Sequence, residues 1–256
     1  MDATVLKRES DAVPSRRKTV HVDHSRHLQM FDPSVFDRTR VDVIGCGSVG
    51  SRIGLELAKL GVRNLHLWDD DIVEAHNLAN QLYILDDVDR ERYSEGRRKV
   101  EALAEHICKA TGIEVIQHPI RIESPVELGD VVFLAVDTMG ARKNIFEQSL
   151  RLKPYVRQVI ETRMGVEELR VYGFNPCSRA EIKAWTDTLY DDKTTVENAC
   201  QARTTVGATA GITACLAVTR FLQWYRWGFV RDPKFTQPHA EQLVMLRPLT
   251  TIANGV

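Results

Sequence analysis

The stretch Val41-Asp-Val-Ile-Gly-Cys-Gly-Ser-Val-Gly-Ser-Arg-Ile-Gly54 limits what this chain can fold into more than any other. Val41, Val43 and Ile44 read as a short buried strand, and Val49, Ile53, Leu55, Leu57 and Leu60 as the opening of a helix. Between them Gly45, Gly47 and Gly50 follow the G-x-G-x-x-G spacing. The first glycine permits a tight turn, the second lets backbone approach a phosphate, and the third lets helix pack on strand. The helix N-terminus then presents unpaired N–H groups and a positive dipole end to an anion. This predicts an α/β fold: a Rossmann-like, mainly parallel sheet flanked by helices. Three glycines after a strand recur in many α/β proteins, so the residues that follow decide which nucleotide is bound.

Asn64 to Asp69 reads as the second strand and ends in Asp69-Asp70-Asp71. An acid about 20 positions beyond the glycines suits a ribose hydroxyl. His76 to Tyr83 reads as a short helical segment and Asp86 to Glu95 as a charged surface excursion. Gly96 to Gly112 is a helix with Val100, Leu103, Ala104 and Ile107 on one face. Arg97, Arg98 and Lys99 in its first turn oppose the helix dipole. A bound polyphosphate would offset that conflict; an ordinary basic surface patch is the alternative. Strands follow at Ile113 to Ile122 and Asp130 to Asp137, the second ending in an acid that either binds metal or caps the helix from Thr138 to about Leu152. Val156 to Glu161 reads as another strand. Glu168 to Phe174 alternates, which predicts an antiparallel extension, and Leu243 to Arg247 is a last strand. Thr205 to Tyr225 is rich in small apolar residues and reads as a buried helix.

With 256 residues the chain suits one α/β domain. Residues 1–22 are polar and read as a mobile tail, residues 23–256 as a single domain, with a polar functional loop at about 176–204. Leu28, Met30 and Phe31, beside Arg26, are expected to dock on the body. A net charge of −1 gives no global field for nucleic acid. No apolar run approaches a membrane span, and Met1 to Ser10 lacks the apolar core of a secretory signal, so a cytoplasmic protein is expected. The five cysteines, at 46, 108, 177, 200 and 215, form no C-x-x-C, which argues against a disulfide framework or a four-cysteine zinc site.

In combination these motifs resemble the ubiquitin-activating-enzyme-like adenylyltransferase superfamily (ThiF/MoeB/HesA type), which includes the bacterial activators of thiamine and molybdopterin sulfur carriers. The resemblance runs from about Arg26 to Trp227. Gly45, Gly47, Ser48 and Gly50 match its phosphate loop, Asp69 its ribose-binding acid and Asp71 the second acid of its D-x-D. Asn77, Asn80 and Gln81 sit where N-x-x-R-Q is expected. Lys99 after Gly96 matches the phosphate-contacting lysine of G-x-x-K, and Asp137 with Arg142 the D-x-x-x-x-R that carries the magnesium-site Asp. Arg26 is similar to the arginine finger that reaches the partner subunit's ATP. Asn198 to Gly207 resembles the crossover segment with its reactive Cys, here Cys200; Cys177 is the second choice of nucleophile.

The resemblance implies ATP and Mg²⁺ as cofactors, no zinc, and adenylation of the C-terminal glycine of a small ubiquitin-like or sulfur-carrier protein. It further implies a homodimer, possible thioester formation on Cys200, and transfer to a conjugating enzyme. The catalytic residues would be Arg26, Lys99, Asp137 and Cys200. One departure matters: Asn80 stands where the motif carries Arg, removing a guanidinium that would hold phosphate. Arg97, Arg98 and Arg52 are the available substitutes. Two other readings remain. A degenerate scaffold that binds nucleotide or a ubiquitin-like tail is favoured by Asn80. An NAD-dependent oxidoreductase shares the glycine loop but gives Lys99 and the Asp137/Arg142 pair no work.

Overall fold

The computed structural model describes residues 22–192 and 206–255. The expected tail at 1–22 therefore lies almost wholly outside the described residues, and Cys200 with most of its crossover motif lies outside them too. Asp32 accepts a hydrogen bond from the Ser34 N–H and starts the short helix α1 (Pro33–Phe36), with proline in its first turn. The glycine stretch folds as read: β1 (Val41–Ile44) is buried throughout, and α2 (Gly50–Leu60) follows. Then come β2 (Leu65–Trp68), α3 (Lys99–Thr111), β3 (Ile116–His118), β4 (Val131–Leu134), α4 (Met139–Ile145), β5 (Gln158–Met164) and β6 (Glu168–Phe174). The rest is α5 (Arg179–Thr186), α6 (Gly207–Trp224) and the hairpin β7 (Glu241–Leu246) and β8 (Leu249–Asn254).

The strands form one 8-stranded sheet in the order β3-β2-β1-β4-β5-β6-β7-β8. The first five in that order run parallel, and β6, β7 and β8 are antiparallel. This is the Rossmann-like parallel sheet with an antiparallel extension that the sequence predicts. Strand order reverses beside β1, the position where open α/β sheets bind ligands. The central strands carry apolar residues on both faces, as two-sided cover requires. Val41, Val43, Val131 and Phe133 join the core beneath α2, α3 and α6, while Ile44, Val132 and Leu134 join a second core with Phe146, Phe174 and Trp185.

Several expectations are corrected. Phe31 docks fully, against Phe36, Phe221 and Tyr225, but Leu28 and Met30 stay exposed. The strand expected at 113–122 shrinks to three residues, because β3 is a sheet edge with one neighbour to pair with. Residues 76–83 hold only a 3₁₀ turn at Ala75–Asn77. The segment expected as a loop at 176–204 contains α5, which Ser178 caps and which buries Ile182 and Trp185. Pro248 ends β7 and turns the chain into β8, a strand the alternation did not signal because its residues are all exposed. Among the described residues no helix is long and apolar enough to cross a membrane.

A buried polar cluster locks the parallel strands together. The Asp42 carboxylate, fully buried in β1, accepts from the Trp68 indole N–H at 2.7 Å, the Gly129 N–H at 2.6 Å and Arg40 at 2.8 Å. Beside it His66 Nδ1 and His118 Nε2 share one hydrogen bond at 3.0 Å, and the His118 ring stacks on Trp68 at 3.7 Å. Burial first, then the Arg40 charge, pushes His66 down to about 4, and burial also lowers His118. The unfolded chain takes up these protons near 6.5, so stability is full above that value and falls as pH drops toward 4. Urea unfolding at pH 7 and pH 4.5 should show an acid loss on the order of 2 kcal/mol from His66, absent in His66→Gln.

Candidate functional site

The glycine turn closes very tightly. Gly45 has φ +90, and a Cβ there would stand 2.7 Å from the Ala135 carbonyl oxygen. A Cβ on Gly50 would stand 1.8 Å from the Gly45 carbonyl oxygen, so no other residue fits. By contrast nothing lies within 4 Å of a Cβ on Gly47, which leaves the loop open on that side. Among the described residues no side chain caps α2; its Ser51 N–H donates to the Gly47 carbonyl at 3.1 Å, and the positive end of the helix dipole meets the loop.

Two side chains brace this turn. Asp69 accepts from the Cys46 N–H at 2.6 Å and the Asp71 N–H at 2.9 Å. Burial raises its pKa, and the Lys99 charge opposes the rise. An ionised carboxylate has four acceptor sites, so capacity for a ribose hydroxyl remains. From the other side Tyr83, buried, donates to the Cys46 carbonyl at 2.6 Å. Burial pushes the Cys46 thiol far up, which makes it packing rather than a nucleophile.

Past the carboxyl ends of β1, β2 and β4 lies a cavity of about 810 Å³. Gly45, Gly47, Ser48, Asp69, Asp70, Asp71, Gln81, Lys99, Arg121, Asp137 and Arg142 line it. Lys99, buried at the start of α3, sets its ammonium 2.8 Å from Asp71. Arg121 lies 3.2 Å from Asp70. Arg142, buried, donates Nε to Glu161 at 2.6 Å and Nη2 to the Thr162 carbonyl at 2.8 Å. Glu161 is itself fully buried and also accepts from Arg163 at 2.9 Å and the Trp185 indole at 3.2 Å. Two buried polar atoms of lining residues, Gln81 Oε1 and Arg142 Nη1, have no partner among the described residues. Unsatisfied atoms of this kind are costly unless a ligand meets them, so they fit a polar guest. The carboxylate oxygens of Asp69, Asp70 and Asp71 fall within 4.8 Å of one another.

The geometry separates the sequence-derived residues. Gly45, Gly47, Ser48, Asp69, Asp71, Gln81, Lys99, Asp137 and Arg142 share the cavity, and Gly50 closes its loop. Thr138, not Asp137, caps α4 by accepting from the Ala141 N–H at 3.2 Å, which leaves the exposed Asp137 carboxylate to the cavity. Asn77 does not line it: its Oδ1 accepts from the Glu74 N–H at 3.0 Å and closes the 3₁₀ turn. Asn80 also lies outside the lining, with its carbonyl bound to Arg52. Of the three cations expected to oppose the dipole, two are structural. Arg97 is buried between Asp87 and Glu105, and Arg98 donates to the Asp70 carbonyl at 2.6 Å. Arg26 is exposed ahead of α1 and lines no part of this cavity; Cys177 is exposed before α5 and also outside it. Arg121 and its neighbours from Ile120 to Glu123 line the site unforeseen, since they sat inside an expected strand.

Fold and cavity thus define an α/β protein of the doubly wound type with an antiparallel extension and a polar cavity at the carboxyl ends of its parallel strands. Residues 28–242 match the ThiF family, and the chain belongs to it. It is 32% identical over 136 residues to the NEDD8-activating enzyme E1 catalytic subunit of Arabidopsis thaliana, covering 47% of this chain and 28% of that protein. Over 172 residues it is 31% identical to the adenylyltransferase and sulfurtransferase MOCS3-1 of Zea mays, covering 61% of this chain and 35% of that one. The sulfur carrier protein ThiS adenylyltransferase of Escherichia coli (strain K12) is 32% identical over 108 residues, 42% of this chain and 43% of its own. The chain thus spans under half the length of each of these relatives. Among solved structures, PaaA superposes with a TM-score of 0.64 at 18% identity, over 91% of this chain and 78% of its own. E. coli MccB with ATP gives 0.59 at 14% identity, over 87% and 65%. These two share the fold.

If Tyr83 holds the glycine loop, Tyr83→Phe should lower unfolding free energy by about 1–2 kcal/mol, because the buried Cys46 carbonyl loses its donor. Amide exchange at Cys46 and Gly47 should quicken in the same variant. Unchanged stability and exchange would show that the loop stands without this bond.

Proposed function

We propose that this chain adenylates a carboxylate with ATP, and that the acceptor is the C-terminal glycine of a small ubiquitin-like or sulfur-carrier protein. The observation that carries the reading is the convergence of Asp69, Lys99 and Asp137 on one cavity walled by the glycine loop. In that reaction the acceptor carboxylate displaces pyrophosphate from ATP and becomes an acyl-adenylate. A carboxylate is a weak electrophile, and the transferring phosphoryl carries dense negative charge, so positioning and charge neutralisation do most of the work. Asp69 holds the ribose, the open Gly47 side receives the phosphates, and Lys99 exchanges part of its contact with Asp71 for phosphate oxygen. Asp137, an exposed carboxylate on the cavity lining, would hold Mg²⁺, which needs only one or two carboxylates beside phosphate oxygens and would supply charge neutralisation.

The relatives named above for NEDD8 and for ThiS support an acceptor of this class. Arg26, exposed and outside its own cavity, is available to a second copy's site, which supports a homodimer as part of this proposal. Thioester formation on Cys200 and passage to a conjugating enzyme form a further step of the same proposal. Against a nicotinamide oxidoreductase stands the charge of the cavity: such a reading leaves Lys99 and Asp137 without a task.

Isotope exchange between pyrophosphate and ATP, run with candidate Gly-Gly proteins, tests the proposal. Lys99→Ala and Asp137→Ala should each cut exchange by about 100-fold or more, the scale of losing one electrostatic contact to the transition state. Exchange that survives either change would overturn the site assignment, and exchange absent in the wild type with every such protein would favour the scaffold reading.

A further inference from the structure

The cations lining the cavity are already opposed by acids: Lys99 faces Asp71 at 2.8 Å, Arg121 faces Asp70 at 3.2 Å and Arg142 faces Glu161 at 2.6 Å. A triphosphate brings dense negative charge into this balanced field and needs positive charge that is not already committed. Arg52 stands behind the lining, touching the cavity wall at Ser48, and differs from the three. It leaves the first turn of α2, and its Nη1 donates to the Ser48 carbonyl at 2.6 Å and the Asn80 carbonyl at 2.7 Å. Among the described residues no carboxylate lies within ion-pair distance of it. Two carbonyl acceptors orient a guanidinium without neutralising it, and among the described residues only Nη1 of Arg52 donates a hydrogen bond. Its head lies near the start of α6, where a Cβ on Gly207 would stand 3.5 Å from Nη2.

Position along the loop gives the charge a direction. Asp69 is bound at Cys46, Gly47 is open, and Arg52 is bound at Ser48, a residue of the cavity wall. A nucleotide whose ribose meets Asp69 therefore runs its phosphates past Gly47 toward Arg52. Position 80 carries Asn in a turn, and Arg52 reaches that residue's backbone from α2. Arg97 cannot serve, being buried between two acids, and Arg98 is turned to the Asp70 carbonyl.

We infer that Arg52 is a phosphate-binding residue of this site, holding the outer phosphates of ATP from α2 in place of a cation at position 80. The inference rests on the nucleotide reading above and narrows it to one residue. Calorimetric titration of the full chain with MgATP and with AMP tests it, using wild type, Arg52→Gln and the double variant Arg52→Gln/Asn80→Arg. Arg52→Gln should weaken MgATP by about 10- to 100-fold, the range of one charge-assisted hydrogen bond, and leave AMP within about twofold. The double variant should regain most of the MgATP affinity, since the same charge returns from the neighbouring backbone. Equal weakening of MgATP and AMP, without recovery in the double variant, would assign Arg52 to bracing the loop and overturn the inference. Unchanged MgATP affinity in Arg52→Gln would overturn it as well, with the nucleotide reading intact. A wild type that binds neither nucleotide would instead overturn the nucleotide reading itself.

Discussion

The contact between the Gly50 α-carbon and the Gly45 carbonyl governs much of this molecule. A single added methyl at Gly50 would overlap that oxygen, so strand, turn and helix meet at a distance only glycine allows. Closing the turn this far sets the N-terminus of α2 directly behind the loop and exposes Gly47. The turn is not left to hold itself. Asp69 takes the Cys46 N–H from the β2 side, and Tyr83 gives its hydroxyl to the Cys46 carbonyl from the opposite side. The two peptide groups that flank the Cys46 α-carbon are thus each held by a side chain, 23 and 37 residues away in the chain. A site built this way starts in the shape a ligand needs, which lowers the ordering cost of binding.

Electrostatics in the cavity follow a second rule, pre-pairing. Buried cations without counter-charges are expensive, and Lys99 and Arg142 each meet an acid, as does the exposed Arg121. Binding an anion is then an exchange of partners rather than the filling of an empty positive hole. The pairs differ in depth. Lys99–Asp71 and Arg121–Asp70 involve partly or well exposed acids, so their contacts yield easily. The Arg142–Glu161–Arg163 group is sealed and shared with Trp185, so it acts as a rigid wall. Arg52 sits outside both patterns, oriented by carbonyls alone.

Much of this was legible in the residues. The spacing of Gly45, Gly47 and Gly50 after an apolar run leaves few alternatives to a strand–turn–helix, because a glycine-only turn is a local steric requirement. Asp69 at the end of the next apolar run, and Asp137 at the end of the run beginning at Asp130, were marked by the same logic: parallel strands end at the ligand face. The alternation in Glu168–Phe174 announced the antiparallel extension. Other readings went astray where the deciding partner was distant. Arg97 looked like a phosphate ligand because adjacency to Lys99 says nothing of Asp87 and Glu105, which fold back to neutralise it. Asn77 matched a motif, yet its amide closes a local turn. The helix α5 was missed because its polar faces mask a short apolar stripe, Ile182 and Trp185, that only the second core reveals.

By itself, then, the sequence determined the local geometry: where strands start, where the chain must turn on glycine, and which acids end up at strand termini. Those features depend on backbone sterics and side-chain alternation, which act within a few residues. Tertiary structure alone decided which charges remain available. Whether Lys99, Arg97, Arg142 or Arg52 can meet an anion depends on partners that the fold brings in, such as Asp87 for Arg97, 10 residues away, and Asp71 for Lys99, 28 residues away. Coulomb attraction and desolvation act through space, and the fold sets those distances.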